Sequence, residues 1–367
     1  MTIHAFPTPS LKLLLKTFFL KNDVVSIERA PGENEYLFSR GTWALAAAIE
    51  QVMMKRQKRE IKIWLPDYFC ADALAALDGK TVSCFFYPVN KELEPDWNIL
   101  DQKAKAEPPD VFILVHYFGF VNSIDKANRF CQQHKCELIE DACHVARLAD
   151  HAHLTIYSPR KIFAVPEGGR LISREAIDPA IITSGQITSF RTVWRWLIRR
   201  LIQKILIRLG IDWHSLAGFA VQRRTEKALN VSEPKRANAY SKKILSCQSK
   251  ETEQIIYQRR KNYEQIAQAL ANKTTVKTFF THLPLDVCPY VLPILVYVEK
   301  AHLEKKFHSL GIPASSWPNL PLAVRANKID HANAVWLNEH ILLLPVHQDL
   351  KARQINHMIQ CLTQYVL

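Results

Sequence analysis

From about residue 38 to residue 175, short apolar runs alternate with helical patterns, and this alternation restricts the fold more than any other feature of the chain. IKIWLP (61–66), TVSCFFYP (81–88), VFILVHYF (111–118), CELIED (136–141), LTIYS (154–158) and RLIS (170–173) are apolar and rich in β-branched or aromatic residues. Between them, TWALAAAIEQVMMKR (42–56), ADALAALDG (71–79) and SIDKANRFCQQH (123–134) space their apolar residues as helices do. Strands that are apolar along their whole length are buried on both faces, so an α/β fold is predicted, with a mainly parallel sheet between two layers of helices. Ligands of such sheets sit at the carboxyl ends of the strands, and candidate chemistry belongs there.

The 367 residues suffice for one large domain or two smaller ones. The pattern divides into a large α/β domain over 1–185, a basic helical segment over 186–250 and a smaller C-terminal α+β domain over 251–367. In the last, a helix through YQRRKNYEQIAQALA, a strand in YVLPILVYV (290–298), a helix over about 300–310, a strand in ILLLPV (341–346) and a terminal helix are expected. The middle segment has no acidic residue from Gln186 to Ile211. In FRTVWRWLIRRLIQKILIRLG, the basic positions 191, 195, 199, 200, 204 and 208 are read as one stripe, and 194, 197, 198, 201, 202, 205, 206 and 209 as an apolar one. Packing of that apolar stripe on the protein or across a dimer is the preferred expectation, although a basic amphipathic helix is also a signature of peripheral contact with an anionic membrane.

The net charge of +13 suits nucleic acid, an anionic membrane or a phosphorylated small substrate. Nucleic acid is set aside, because no zinc finger, RNA-recognition signature or interleaved basic-aromatic strand occurs. Eight scattered cysteines without C-x-x-C spacing point to a reducing, cytoplasmic compartment. The N-terminal MTIHAFPTPSLKLLLKTFFLKN lacks the basic n-region and cleavage site of a signal peptide, and no apolar run is long enough to span a bilayer. No histidine pair has metal-ligand spacing, so no metal site is expected, and G-x-S-x-G is absent.

One lysine stands out. In LTIYSPRKIFAVPEGGRLIS (154–173), Lys161 lies between two apolar segments, where partial desolvation lowers an amine's pKa and sharpens it as a nucleophile. Twenty residues earlier Asp141 ends the LIED strand, and His144 follows three residues after it. Gly41-Thr42 opens a helix whose free N–H groups and positive dipole end make an anion seat, and Ser158 offers a further hydroxyl. A lysine to condense with an aldehyde, a carboxylate for a pyridine nitrogen, an imidazole for a phenolic oxygen and donors for a phosphate are the set that pyridoxal phosphate requires. Each residue alone has a plainer use as a cap, a turn or a surface cation; the ordered set is the stronger signal.

GT-x-AL, LPDYFCADAL, HYFG (116–119), IEDACH, SPRK and PEGG follow one another in the order seen in the DegT/StrS-type (DegT/DnrJ) sugar aminotransferases, fold-type-I pyridoxal phosphate enzymes. The chain resembles this family further through QRRKNYEQ (258–265), CPYVLPI (288–294), GIPASSWPNLP (311–321) and LPVHQDL (344–350), so the likeness omits only the basic helical segment. The resemblance implies a homodimer with active sites at the subunit interface. It further implies transfer of an amino group, with glutamate the expected donor, to a keto sugar carried by a nucleotide, in surface polysaccharide or amino-sugar biosynthesis. It assigns Lys161 to covalent cofactor attachment and proton movement, Asp141 to the ring nitrogen, and Gly41, Thr42 and Ser158 to the phosphate. The sequence departs from the family in three places: His144 stands where glutamine is usual, the phosphate serine lies closer to the lysine, and Cys70 falls where an aromatic ring stacks on the cofactor. Tyr68 and Phe69 are the candidates to replace that ring. Lysine at 161, where related dehydratases carry histidine, favours transamination over a lyase or dehydratase reaction.

Overall fold

The computed structural model describes residues 3–19, 32–148, 152–208 and 235–365. Its centre is a seven-stranded sheet of order β1-β7-β6-β5-β4-β2-β3. The strands are β1 (Asn34–Phe38), β2 (Ile61–Pro66), β3 (Val82–Tyr87), β4 (Val111–Val115), β5 (Glu137–Asp141), β6 (Leu154–Tyr157) and β7 (Gly169–Ser173). Strands β2 to β6 are parallel, while β7 runs antiparallel between β6 and β1. All six strands expected in this half are present within a few residues of their predicted ends. β1 was not foreseen, since NEYLF is half-buried and too short for its pattern to declare itself.

A second, antiparallel sheet of order β10-β9-β8 is made of β8 (Val276–Thr278), β9 (Val291–Val296) and β10 (Ile341–Pro345). The 252–270 and 352–365 helices pack together beside it, with Tyr263, Ile266, Leu270, Ile355, Met358 and Leu362 in one buried cluster with Leu292 and Ile294.

The 41–55 helix is buried from Trp43 to Ile49. Four of those seven residues are alanines, which lets the helix lie close against the sheet and brings its first turn to the strand ends. Those ends are tied by a fully buried pair. His116 Nδ1 accepts from the Asn122 amide at 3.0 Å, so Nε2 carries the proton donated to Glu140 at 2.6 Å. The other Glu140 oxygen accepts from the Ala152 amide and the Thr155 hydroxyl, locking β4, β5 and β6 side by side.

Helix 190–208 forms as predicted, but its apolar stripe divides. Val193 and Leu197 are buried against Leu13, Leu14, Ile244 and Leu245. Ile198, Ile202 and Ile205 instead remain 43–49% exposed, and the polar Gln203 is buried. This chain's own helices therefore leave these three isoleucines uncovered, and packing across a dimer is the remaining form of that expectation for them. Leu209 lies outside the described residues. No helix among the described residues is long and apolar enough to cross a membrane.

Candidate active site

The ends of β4, β5 and β6, the first turn of the 41–55 helix and residues after β2 enclose one cavity. Gly41, Thr42, Phe69, Asp141, His144, Ser158 and Lys161 line it, joined by Arg40, Cys143, Arg160 and Trp317. Residues spread over more than a hundred positions of sequence are thus brought together. Tyr68 is the exception. It is fully buried, its hydroxyl donates to the Trp317 carbonyl at 2.5 Å, and its ring packs on Tyr117 and Trp317, leaving Phe69 and Cys70 facing the cavity.

Lys161 sits in a single 3-10 turn, Pro159–Lys161, directly after β6, and its amide donates to the Ser158 carbonyl at 2.9 Å. The anion end is built close by. A methyl group on Gly41 would stand 3.1 Å from the Cys143 sulfur and 3.5 Å from Ser158 Cβ, so glycine keeps open the space between the helix start and the serine. At Gly169 a methyl would lie 1.9 Å from the Arg40 carbonyl oxygen; no side chain fits where β7 passes under the helix start. Glu167 of the PEGG stretch accepts from the Asn238 amide at 3.0 Å and the Ser241 hydroxyl at 2.7 Å, so it anchors the beginning of the 239–249 helix rather than facing the cavity.

Asp141 closes β5 with Oδ1 accepting from the Cys143 amide at 3.0 Å. Burial, with the Asp141 charge beside it, pushes the Cys143 thiol well above the ordinary range, so it stays protonated. His144 is held more elaborately. Its ring is stacked between Phe118, 5.8 Å away, and Tyr290, 4.9 Å away, with Trp317 edge-on at 4.9 Å. The Phe118 amide donates to Nδ1 at 3.2 Å, which leaves the hydrogen on Nε2. Burial, reinforced by the Lys161 ammonium, drives its pKa well below the usual imidazole range. His144 is therefore a neutral donor of fixed tautomer.

Tyr290 also lies under Lys161, whose Nζ is 5.8 Å from the ring centroid. Its place is set by a close approach, because Gly119 takes a left-handed conformation (φ 104°) and a methyl there would fall 2.2 Å from the Cys288 carbonyl oxygen. The Tyr290 amide then donates to the Phe118 carbonyl at 2.8 Å.

Behind the lysine turn, Arg259 is completely buried and has every donor in use. Nε donates to Gln348 Oε1 at 2.9 Å, one terminal nitrogen to the Pro289 and Tyr290 carbonyls, and the other to those of Lys161 and Ile162. Gln348 Nε2 adds a bond to the Ile162 carbonyl at 3.1 Å. A planar five-donor fork is what joins three separate stretches in this way; lysine could not. Burial pulls the Arg259 pKa down from its ordinary value.

The loop leaving β2 is fixed by buried Asp67, which accepts from the Val89 amide and pairs with His331 Nδ1, each at 3.1 Å. Burial pushes its pKa up to about 6 in spite of these partners.

The sequence reading missed Arg40, Arg160, Tyr290, Trp317, Arg259 and Gln348. The last four lie within the stretches QRRKNYEQ, CPYVLPI, GIPASSWPNLP and LPVHQDL, so their presence was registered while their task was not. Arg40 and Arg160 adjoin Gly41 and Lys161, and adjacency was the available signal.

The donor set suits pyridoxal phosphate. An amine, a carboxylate and a neutral N–H donor face one cavity, and an anion seat kept free by glycine lies at its end.

No family model and no curated protein matches the sequence. Solved structures do match, over nearly the whole chain. Spr1654 from Streptococcus pneumoniae in its PLP form has a TM-score of 0.70 at 13% identity, covering 100% of both chains. PseC from Helicobacter pylori, an aminotransferase of pseudoaminic acid biosynthesis, has a TM-score of 0.69 at 14% identity, covering 100% of this chain and 99% of its own. A GDP-4-keto-6-deoxymannose-3-dehydratase, ColD, has a TM-score of 0.63 at 16% identity, covering 89% and 88%. The fold is therefore the one these enzymes share, and since it carries both amination and dehydration, the chemistry has to be argued from the residues.

Proposed function

We propose that this chain is a pyridoxal phosphate-dependent aminotransferase that moves an amino group from an amino acid, glutamate being the expected donor, to a nucleotide-linked keto sugar. The reading is carried by the convergence of Lys161, Asp141, His144 and the Gly41-Thr42-Ser158 anion seat on one cavity. When bound, the cofactor supplies an electron sink for the carbanion left by proton removal.

The chain's own groups would do the rest. Lys161 Nζ would hold the cofactor covalently and, as a free amine, would serve as the base that carries a proton between the two carbons flanking the transferred nitrogen. The Asp141 carboxylate, oriented by the Cys143 amide, pairs with the ring nitrogen and keeps it protonated. His144 donates its Nε2 hydrogen to the phenolic oxygen without adding a charge. The Gly41 and Thr42 amides with the Thr42 and Ser158 hydroxyls hold the phosphate. Arg40 and Arg160 give the cavity walls a basic character suited to a substrate bearing a pyrophosphate. Arg259 and Gln348 act at one remove, fixing the backbone from which Lys161 projects. Lysine at 161 supports transamination over dehydration, since it retains the proton carrier that amination needs.

The test is optical and chemical. Purified protein with pyridoxal phosphate should develop a visible absorption band, and borohydride should fix the cofactor to Lys161 in a peptide identified by mass spectrometry. Lys161→Ala should show neither; identical band and reduction in that variant would overturn the assignment. We also propose a homodimer with shared active sites, as the resemblance implies, which sedimentation equilibrium measures directly. A fully active monomer would remove that part.

A further inference from the structure

We infer that helix 190–208 and the helices beside it form a docking face for an anionic lipid surface. The argument starts from an inversion. Helix 190–208 buries Gln203, 4% exposed, which meets His4 at 3.0 Å and accepts from Arg200 at 2.7 Å. The same helix leaves Ile198, Ile202 and Ile205 between 43% and 49% exposed, with Phe190 at its start and Ile187 just before it at 51%. Positions 198, 202 and 205 share one side of a helix, and Arg191, Arg195 and Arg199, all exposed, stand within and along the edge of that stripe. An apolar stripe that the protein's own core does not use, edged by arginines, needs a partner that is apolar within and negative at its surface.

The surroundings carry the same signature. Leu13 and Leu14 of the 11–19 helix and Ile244 and Leu245 of the 239–249 helix share a cluster with Val193 and Leu197. On the 11–19 helix Lys12, Leu15 and Lys16 are exposed. These three helices together carry ten basic residues and no acidic one. A second copy of the chain set against this face would oppose arginine to arginine with no carboxylate on these helices to answer, whereas a leaflet of anionic headgroups neutralises the arginines and accepts the isoleucines. The stripe of isoleucines also favours lipid over nucleic acid, whose contacts are mainly polar and charged. The 190–208 helix, about 28 Å long at 1.5 Å per residue, carries six basic residues, so it would lie along the surface rather than cross it.

The experiment uses the full chain and vesicles of phosphatidylcholine alone or mixed with phosphatidylglycerol. Wild type should co-sediment with the anionic vesicles only, and less so as salt is raised. Arg195→Glu with Arg199→Glu should weaken binding at least about a hundredfold, since each unit of charge near such a surface is worth roughly fivefold. Ile198→Gln with Ile202→Gln and Ile205→Gln should weaken it at least about tenfold. Both sets concern exposed positions outside the cavity and should leave the melting temperature and pyridoxal phosphate binding unchanged. Failure of wild type to bind anionic vesicles, binding indifferent to both variants, or binding to duplex DNA in place of vesicles would overturn the inference. So would a lipid-free dimer that the isoleucine variant dissociates, because a second copy would then be the occupant.

Discussion

Helices 252–270 and 190–208 both carry arginines on an amphipathic frame, and the fold uses them in opposite ways. In the first, Arg259 is withdrawn from water completely and every N–H meets a carbonyl or amide oxygen. In the second, Arg191, Arg195 and Arg199 stay in solvent beside exposed isoleucines while a glutamine goes inside. What decides a cation's role is the number of acceptors the fold closes around it. Arg259 has become the hub joining the lysine turn, the Tyr290 segment and Gln348, whereas Arg191, Arg195 and Arg199 contribute charge and little internal structure.

The largest expected effect follows from emptying the hub. Arg259→Leu would leave several buried acceptors without donors and should cost more than about 3 kcal/mol in urea unfolding. It should also weaken reductive trapping of pyridoxal phosphate on Lys161, and Arg259→Lys should restore only part of either. A loss under about 1 kcal/mol would break the contrast.

A buried group of opposite sign sharpens it. Folded Asp67 keeps its proton to about pH 6, whereas the ordinary aspartate value of 3.8 governs the unfolded chain. Between these values the folded state binds more protons, so the contribution of Asp67 to stability is full below about pH 4 and is lost as pH rises through 6. The stability of wild type relative to Asp67→Asn should accordingly fall by on the order of 2 kcal/mol between pH 4 and pH 7. An unchanged difference across that range would show that Asp67 is ionised throughout. The smallest effect belongs to the exposed arginines. Arg195→Ala with Arg199→Ala should change unfolding stability by no more than about 0.5 kcal/mol, and a larger loss would place them in the core's economy after all.

The parallel sheet was legible because its strands are nearly uniformly apolar and its helices keep their own period, both properties of adjacent residues. β3 is the exception that proves informative, for Ser83 and Cys84 are exposed on this edge strand. The residues lining the cavity were legible for a related reason: Asp141, Ser158 and Lys161 lie at or just after the ends of strands, and Gly41-Thr42 begins a helix, so local pattern placed them at the ligand edge. Tyr68 was misplaced toward the cavity, since nothing in PDYFC says which of two neighbouring rings turns inward.

By itself, then, the sequence determined the sheet, the strand ends and the chemical character of the groups gathered there, because apolar period and chain order act over a few residues. Only tertiary structure decided that His144 is a neutral donor stacked between Phe118 and Tyr290, that Arg259 grips the carbonyls of Lys161 and Ile162 from ninety-eight and ninety-seven positions away, and that Ile198, Ile202 and Ile205 face out while Gln203 faces in. Each of these depends on which surfaces meet after the chain has closed on itself, and burial, tautomer and hydrogen-bond partnership take their values only there.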